Sequence, residues 1–139
     1  MYQYVGDEIV ISWKLEKGIA RDNAIACFYS MKKAMSAKAE AFEKSFNVTP
    51  DFKAAVHYGH ITTGEIGALR KDIFFTGDVL NTTARILSKA SVYKEDLLIS
   101  EELSKLFIWG KSYQLKSLGT QELKGKKESV GIYAVKEKP

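Results

Sequence analysis

Cysteine occurs once in this chain of 139 residues, at Cys27, and proline only twice. A single thiol excludes an internal disulfide framework and any zinc site built on thiolates, and it points to a reducing compartment. Arginine is scarce: Arg21, Arg70 and Arg85 stand among 21 basic residues, so the side chain suited to bidentate reading of phosphate and guanine is rare. With 17 acidic residues the formal net charge is +4, an ordinary surface, and no nucleic-acid partner is expected. No apolar run approaches the roughly 20 residues of a membrane span. Nothing in Met1-Tyr2-Gln3-Tyr4-Val5 resembles a signal peptide. What the chain does have is 45% hydrophobic residues, enough for one core of ordinary size. With no repeat, low-complexity tract or internal linker, residues 1–139 read as a single soluble domain.

Two β-prone runs, Tyr2 to Val5 and Glu8 to Trp13, flank Gly6-Asp7, a two-residue hairpin signal that places Asp7 at the tip. From Asn23 to Phe46 the apolar residues Ile25, Phe28, Met31, Met35, Ala39, Phe42 and Phe46 recur at helical spacing. Asp22 or Asn23 can cap this helix, and Asn47 and Pro50 end it. Its Met and Phe stripe reads as a core face in preference to a partner-binding one. Strands are expected from Phe52 to Tyr58, Ile61 to Ile66 and Ile73 to Phe75, then a helix from Gly77-Asp78 to about Ala90 with Asp78 as N-cap. Leu97 to Ile99 reads as a strand, Glu101 to Phe107 as a short helix, and Tyr113 to Leu123 with Gly131 to Val135 as a closing strand pair. The pattern predicts an α/β sandwich with helices on one face of a largely antiparallel sheet.

Several residues carry chemistry. A carboxylate at a hairpin tip, Asp7, is either a turn-former or a hard oxygen ligand for magnesium. Asn81 and Arg85 lie at i and i+4 on one side of a helix, either as a solvated face or as an amide and guanidinium able to hold a ribose and a phosphoryl group. His57 and His60, with no supporting thiolate or carboxylate at ligand spacing, make a poor metal site. Lys124-Gly125-Lys126-Lys127 is an exposed basic turn or a place where an anion approaches the backbone.

In their chain order, Tyr4-Val5-Gly6-Asp7-Glu8-Ile9-Val10, Val56-His57-Tyr58-Gly59 running to Thr63-Gly64-Glu65-Ile66-Gly67, Thr76 to Arg85, and Leu118-Gly119 to Lys126 resemble the class III nucleotidyl cyclases, the adenylate and guanylate cyclases. The stretch from Ala55 to Arg85 is the most specific part. The resemblance implies an α+β fold with a ferredoxin-like βαββαβ core, and a wrap-around homodimer or pseudo-dimer whose active sites are shared between protomers. It implies two aspartates binding two Mg2+ (or Mn2+) ions. Asp7 matches the second aspartate, and the first would lie in a strand upstream of Met1. The chain is therefore expected to be the C-terminal portion of a catalytic domain, lacking the first strand and helices and inactive alone. Asn81 and Arg85 match the pair that orients the ribose and stabilises charge at the α-phosphate, and Lys124 matches a lysine that contacts the terminal phosphates.

By the same resemblance the reaction converts ATP, or GTP, to the 3′,5′-cyclic nucleotide and pyrophosphate. The full-length parent would be a cytoplasmic signalling protein, sensor-linked or membrane-anchored through an upstream domain. Two positions depart from the family pattern. Gln3 stands where adenylate cyclases carry Lys and guanylate cyclases Glu, and Phe74 stands where Asp, Thr or Cys is usual. The Gln3 amide can donate to adenine N1 and accept from its exocyclic amine, whereas guanine presents two donors, so ATP is favoured. Phe74 can stack on the base or wall it. The alternative is a degenerate cyclase-like domain that binds nucleotide or dimerises as a regulatory module.

Overall fold

A computed structural model describes residues 2–5, 7–66, 72–76, 78–122 and 129–139, with the strands at 2–5, 62–66 and 72–76 described by their backbone. The chain opens with the expected hairpin. β1 (Tyr2–Val5) and β2 (Glu8–Ile11) pair antiparallel with Val5 opposite Glu8, which leaves a two-residue loop. A short helix that the sequence did not announce follows, α1 (Leu15–Ile19), and then a 3-10 turn (Ala20–Asp22). Arg21 and Asp22 occupy the left-handed region there, with φ of 51° and 56°. Neither Asp22 nor Asn23 caps the next helix through its side chain. Asn23 instead donates from Nδ2 to the carbonyl of Lys17 at 2.8 Å, tying that helix back to α1.

The helix expected from Asn23 to Phe46 is two helices, α2 (Asn23–Ala37) and α3 (Ala39–Phe46), separated by Lys38 at φ −104° and ψ 1°. The apolar spacing runs on through the break, which is why periodicity alone does not reveal it. Asn47 ends α3 as expected, in the left-handed conformation with its N–H donated to Glu43 O at 2.9 Å.

The central sheet has four strands in the order β3 (Ala54–Val56), β6 (Leu97–Ser100), β8 (Val130–Glu137), β7 (Tyr113–Gln121). β3 runs parallel to β6 and the other pairs are antiparallel. A second hairpin joins β4 (Thr62–Ile66) to β5 (Asp72–Thr76). Helix α4 (Asp78–Tyr93) follows β5, and Asp78 lies in its first turn, where a carboxylate meets the positive end of the helix dipole. The last helix is the single turn α5 (Glu101–Ser104), shorter than expected and capped by Ser100, whose Oγ accepts from the Leu103 N–H.

The expected one-sided sandwich is corrected. All four residues of β6 are buried, and a strand buried at consecutive positions needs cover on both faces. Leu97 and Ile99 pack with Ala24, Ile25 and Phe28 of α2, while Leu98 packs on the other side with Ile86 and Ala90 of α4. The mixed α+β class stands, with helices on both faces. No helix among the described residues is long and apolar enough to cross a membrane.

Candidate active site

The inward stripe of α4 is Thr82, Ile86 and Ala90, all buried. Asn81 and Arg85 each precede a member of that stripe, so they project together from the margin of the helix, one turn apart. Asn81 is exposed and Arg85 is half-buried. Thr83 Oγ donates to Val79 O and Ser88 Oγ to Arg85 O, both at 2.6 Å, so these hydroxyls are satisfied within the helix.

β1, with Gln3 opposite Val10, lies against β5, and β5, with Phe74 opposite Gly64, lies against the start of α4. The strand that carries Gln3 thus contacts the strand that carries Phe74, and the helix that carries Asn81 follows the latter in the chain. Asp7 is exposed at the tip of the β1–β2 hairpin, where the two-residue loop holds it. Lys124 lies outside the described residues.

For a metal ion, the Asp7 carboxylate is the right kind of donor, a hard oxygen, but it offers at most two of the six oxygens magnesium takes. Among the described residues no three His, Cys, Asp or Glu side chains come together as a ligand set. The described residues do not by themselves compose a metal site.

Sequence reading weighed His57 and His60 only as metal ligands and so missed what His57 does. Its Nδ1 lies 2.7 Å from Ser100 Oγ, across the ends of β3 and β6, while His60 is exposed. Gly59 has a packing role that the sequence does not disclose. It sits against α4, and a Cβ there would overlap Val79 Cγ2. Its φ of +156° adds a second reason for glycine. The available signal was the position of His57 and Gly59 at a strand end ahead of the helix that carries Asn81 and Arg85.

Residues 3–137 match the sequence profile described as the adenylate and guanylate cyclase catalytic domain. Adenylate cyclase 2 of Rhizobium meliloti (strain 1021) is 30% identical over 132 residues, covering 95% of this chain and 36% of that protein. A photoactivated adenylate cyclase subunit beta-like protein of Euglena gracilis is 32% identical over 81 residues, covering 58% of this chain and 9% of its own length. Among solved structures, a bacterial light-regulated adenylyl cyclase superposes with a TM-score of 0.74 at 21% identity, over 96% of this chain and 38% of that one. The adenylyl cyclase CyaB from P. aeruginosa superposes with a TM-score of 0.72 at 22% identity, over 99% and 71%. The chain thus spans about a third of the length of the Rhizobium relative. With nearly every residue inside the matched profile and the fold shared with solved cyclases, the chain belongs to the adenylate and guanylate cyclase catalytic domain family.

Proposed function

We propose that this domain converts ATP, in preference to GTP, to the 3′,5′-cyclic nucleotide and pyrophosphate. The observation that carries the reading is the pairing of Asn81 and Arg85 on one margin of α4, the helix that follows the strand bearing Phe74. The Asn81 amide holds the ribose with its 3′ hydroxyl aimed at the α-phosphate. Arg85 then offers its guanidinium to the charge that grows on the α-phosphate oxygens as that hydroxyl attacks and pyrophosphate leaves. Such a contact tightens in the transition state and acts on turnover more than on affinity. Lys124 contacts the terminal phosphates as a flexible point charge. Gln3 reads the adenine edge, and Phe74 stacks on the base or walls it. Mg2+ or Mn2+, two ions per site, would take Asp7 as one ligand and need oxygen donors beyond the described residues.

Part of the proposal is that a strand from upstream of Met1 completes the sheet and brings the second carboxylate. What supports it is the sheet itself: among the described residues β3 is three residues long and pairs with β6 alone, and the β1–β2 hairpin forms a separate sheet from the central one. We also propose that two copies share the site. Ile9, Trp13 and Leu15, on and just beyond β2, are 54%, 38% and 43% exposed, an apolar surface suited to a partner. The parent is proposed to be a cytoplasmic signalling protein with an upstream regulatory or membrane-anchoring domain.

The test is cyclic nucleotide formation by the full-length protein with ATP or GTP and Mg2+ or Mn2+. Arg85→Ala should lower kcat by about 10² to 10³ with the KM for ATP little changed, and Asp7→Ala should remove the metal-dependent activity. Near-normal turnover by either variant, or none by the wild type, moves the reading to a nucleotide-binding or dimerising regulatory module.

A further inference from the structure

We infer that His57 and Ser100 form a positioning pair that seats the first turns of α4 and so sets the placement of Asn81 and Arg85. For its catalytic consequence the inference rests on the function proposed above. The parallel register Ala54 to Leu97, Ala55 to Leu98 and Val56 to Ile99 brings His57 and Ser100 side by side at the ends of β3 and β6. Alternation puts both on the face that carries Ala55 and Leu98, which is the face packed against Ile86 and Ala90 of α4. Toward the C-terminal half of α4 this layer is apolar. At the strand ends, beneath the N-terminal half, it turns polar.

Ser100 is fully buried. Its hydroxyl accepts from the Leu103 N–H at 3.2 Å and lies 2.7 Å from His57 Nδ1. With one lone pair engaged, the hydroxyl still has a proton to donate to a bare Nδ1 and a second lone pair to accept from an Nδ1–H, so it bonds either tautomer of the ring. The pair therefore locks the end of β3 to β6 and, through the same oxygen, to the start of α5. Two residues beyond His57, Gly59 is pressed against Val79 in the first turn of α4 so closely that a Cβ would overlap it. The link is continuous: Ser100 fixes His57, the short path to Gly59 is fixed with it, and Gly59 supports Val79. Asn81 and Arg85 stand on the turns that follow. Ile86 and Ala90 anchor the far half of the helix by apolar contact, so the polar pair governs the half that bears the ligand-facing residues. A displacement of about 1 Å in such a group is enough to lower turnover about 100-fold.

The pair can be tested in the full-length protein with His57→Phe, His57→Asn and Ser100→Ala. Asn can place a polar atom near the position of Nδ1, and Phe fills the ring volume without one. His57→Phe and Ser100→Ala should each lower kcat by about tenfold or more at nearly constant KM, His57→Asn should stay within about threefold of wild type, and the double variant should be no worse than either single one. Asn as poor as Phe, or losses that multiply in the double variant, would overturn the pair. A second measurement needs no reaction. Amide hydrogen exchange in the first turns of α4, Thr82 to Ile86, should speed up in His57→Phe and Ser100→Ala, while Ala90 to Tyr93 stays protected. Uniform loosening of α4, or no change, would refute the inference. A wild type that makes no cyclic nucleotide refutes the proposed activity, and hydrogen exchange then decides the positioning pair by itself.

Discussion

Replacing Thr82 by Val should stabilise this domain. Thr82 is 1% exposed on the inward stripe of α4, and its Oγ1 has no hydrogen-bond partner among the described residues. A hydroxyl stripped of water without a partner costs about 1–3 kcal/mol. Val matches the shape, differs little from Thr in helix propensity, and puts a methyl where the oxygen lay. The expected gain is about 1 kcal/mol, which for a chain of this length raises Tm by about 3–4 °C. Thr82→Ser keeps the oxygen and removes the methyl, and should cost about 1 kcal/mol. Thermal melts followed by circular dichroism, with urea titrations as a check, should rank Val above wild type and wild type above Ser. A Val variant that melts at or below wild type would refute the reasoning, because it would show that the hydroxyl is paired in solution.

Burial pushes the Tyr29 hydroxyl, which donates to Val135 O at 2.7 Å, up to about 12. An unfolded tyrosine titrates near 10, so stability should be level below about pH 10 and fall as pH rises toward about 12, where the unfolded chain loses its proton first. Tyr29→Phe should flatten most of that slope in urea midpoints, leaving the part due to Tyr113, whose hydroxyl burial also raises. Glu95, with its side chain 5% exposed, faces Lys136 at 3.4 Å and Lys116 at 3.7 Å. Removing both lysines strands a buried carboxylate, whereas Glu95→Gln leaves two cations that water already solvates. Urea denaturation should therefore show Lys116→Gln/Lys136→Gln to be the more destabilised variant, and the reverse order would mean that the carboxylate is better hydrated than its burial indicates. With ATP and GTP as competing substrates of the full-length protein, Gln3→Glu should shift the ratio of specificity constants toward GTP by about 1–3 kcal/mol. An unchanged ratio would show that Gln3 does not read the base.

What could be read from the chain alone was local. The β1–β2 hairpin follows from Gly6-Asp7 between β-prone runs, because a two-residue loop fixes both register and tip. The shared side of Asn81 and Arg85 follows from helical spacing, which needs no knowledge of the rest of the fold. Family membership was legible for a similar reason, since the order of short motifs survives in sequence whatever packs around them. Other features depended on contacts between distant segments. The break at Lys38 is invisible to periodicity, because Met35, Ala39 and Phe42 keep helical spacing across it. The two-sided cover of β6 required knowing that α2 and α4 dock on opposite faces, though the unbroken run Leu97-Leu98-Ile99 hinted at it. His57 and Ser100 are 43 residues apart, and only the parallel pairing of β3 with β6 brings a strand-end histidine onto a buried serine. Spacing along a helix or hairpin is set by backbone geometry within a few residues, whereas strand order, buried polar pairs and the seat of a helix are settled by which distant surfaces exclude water together.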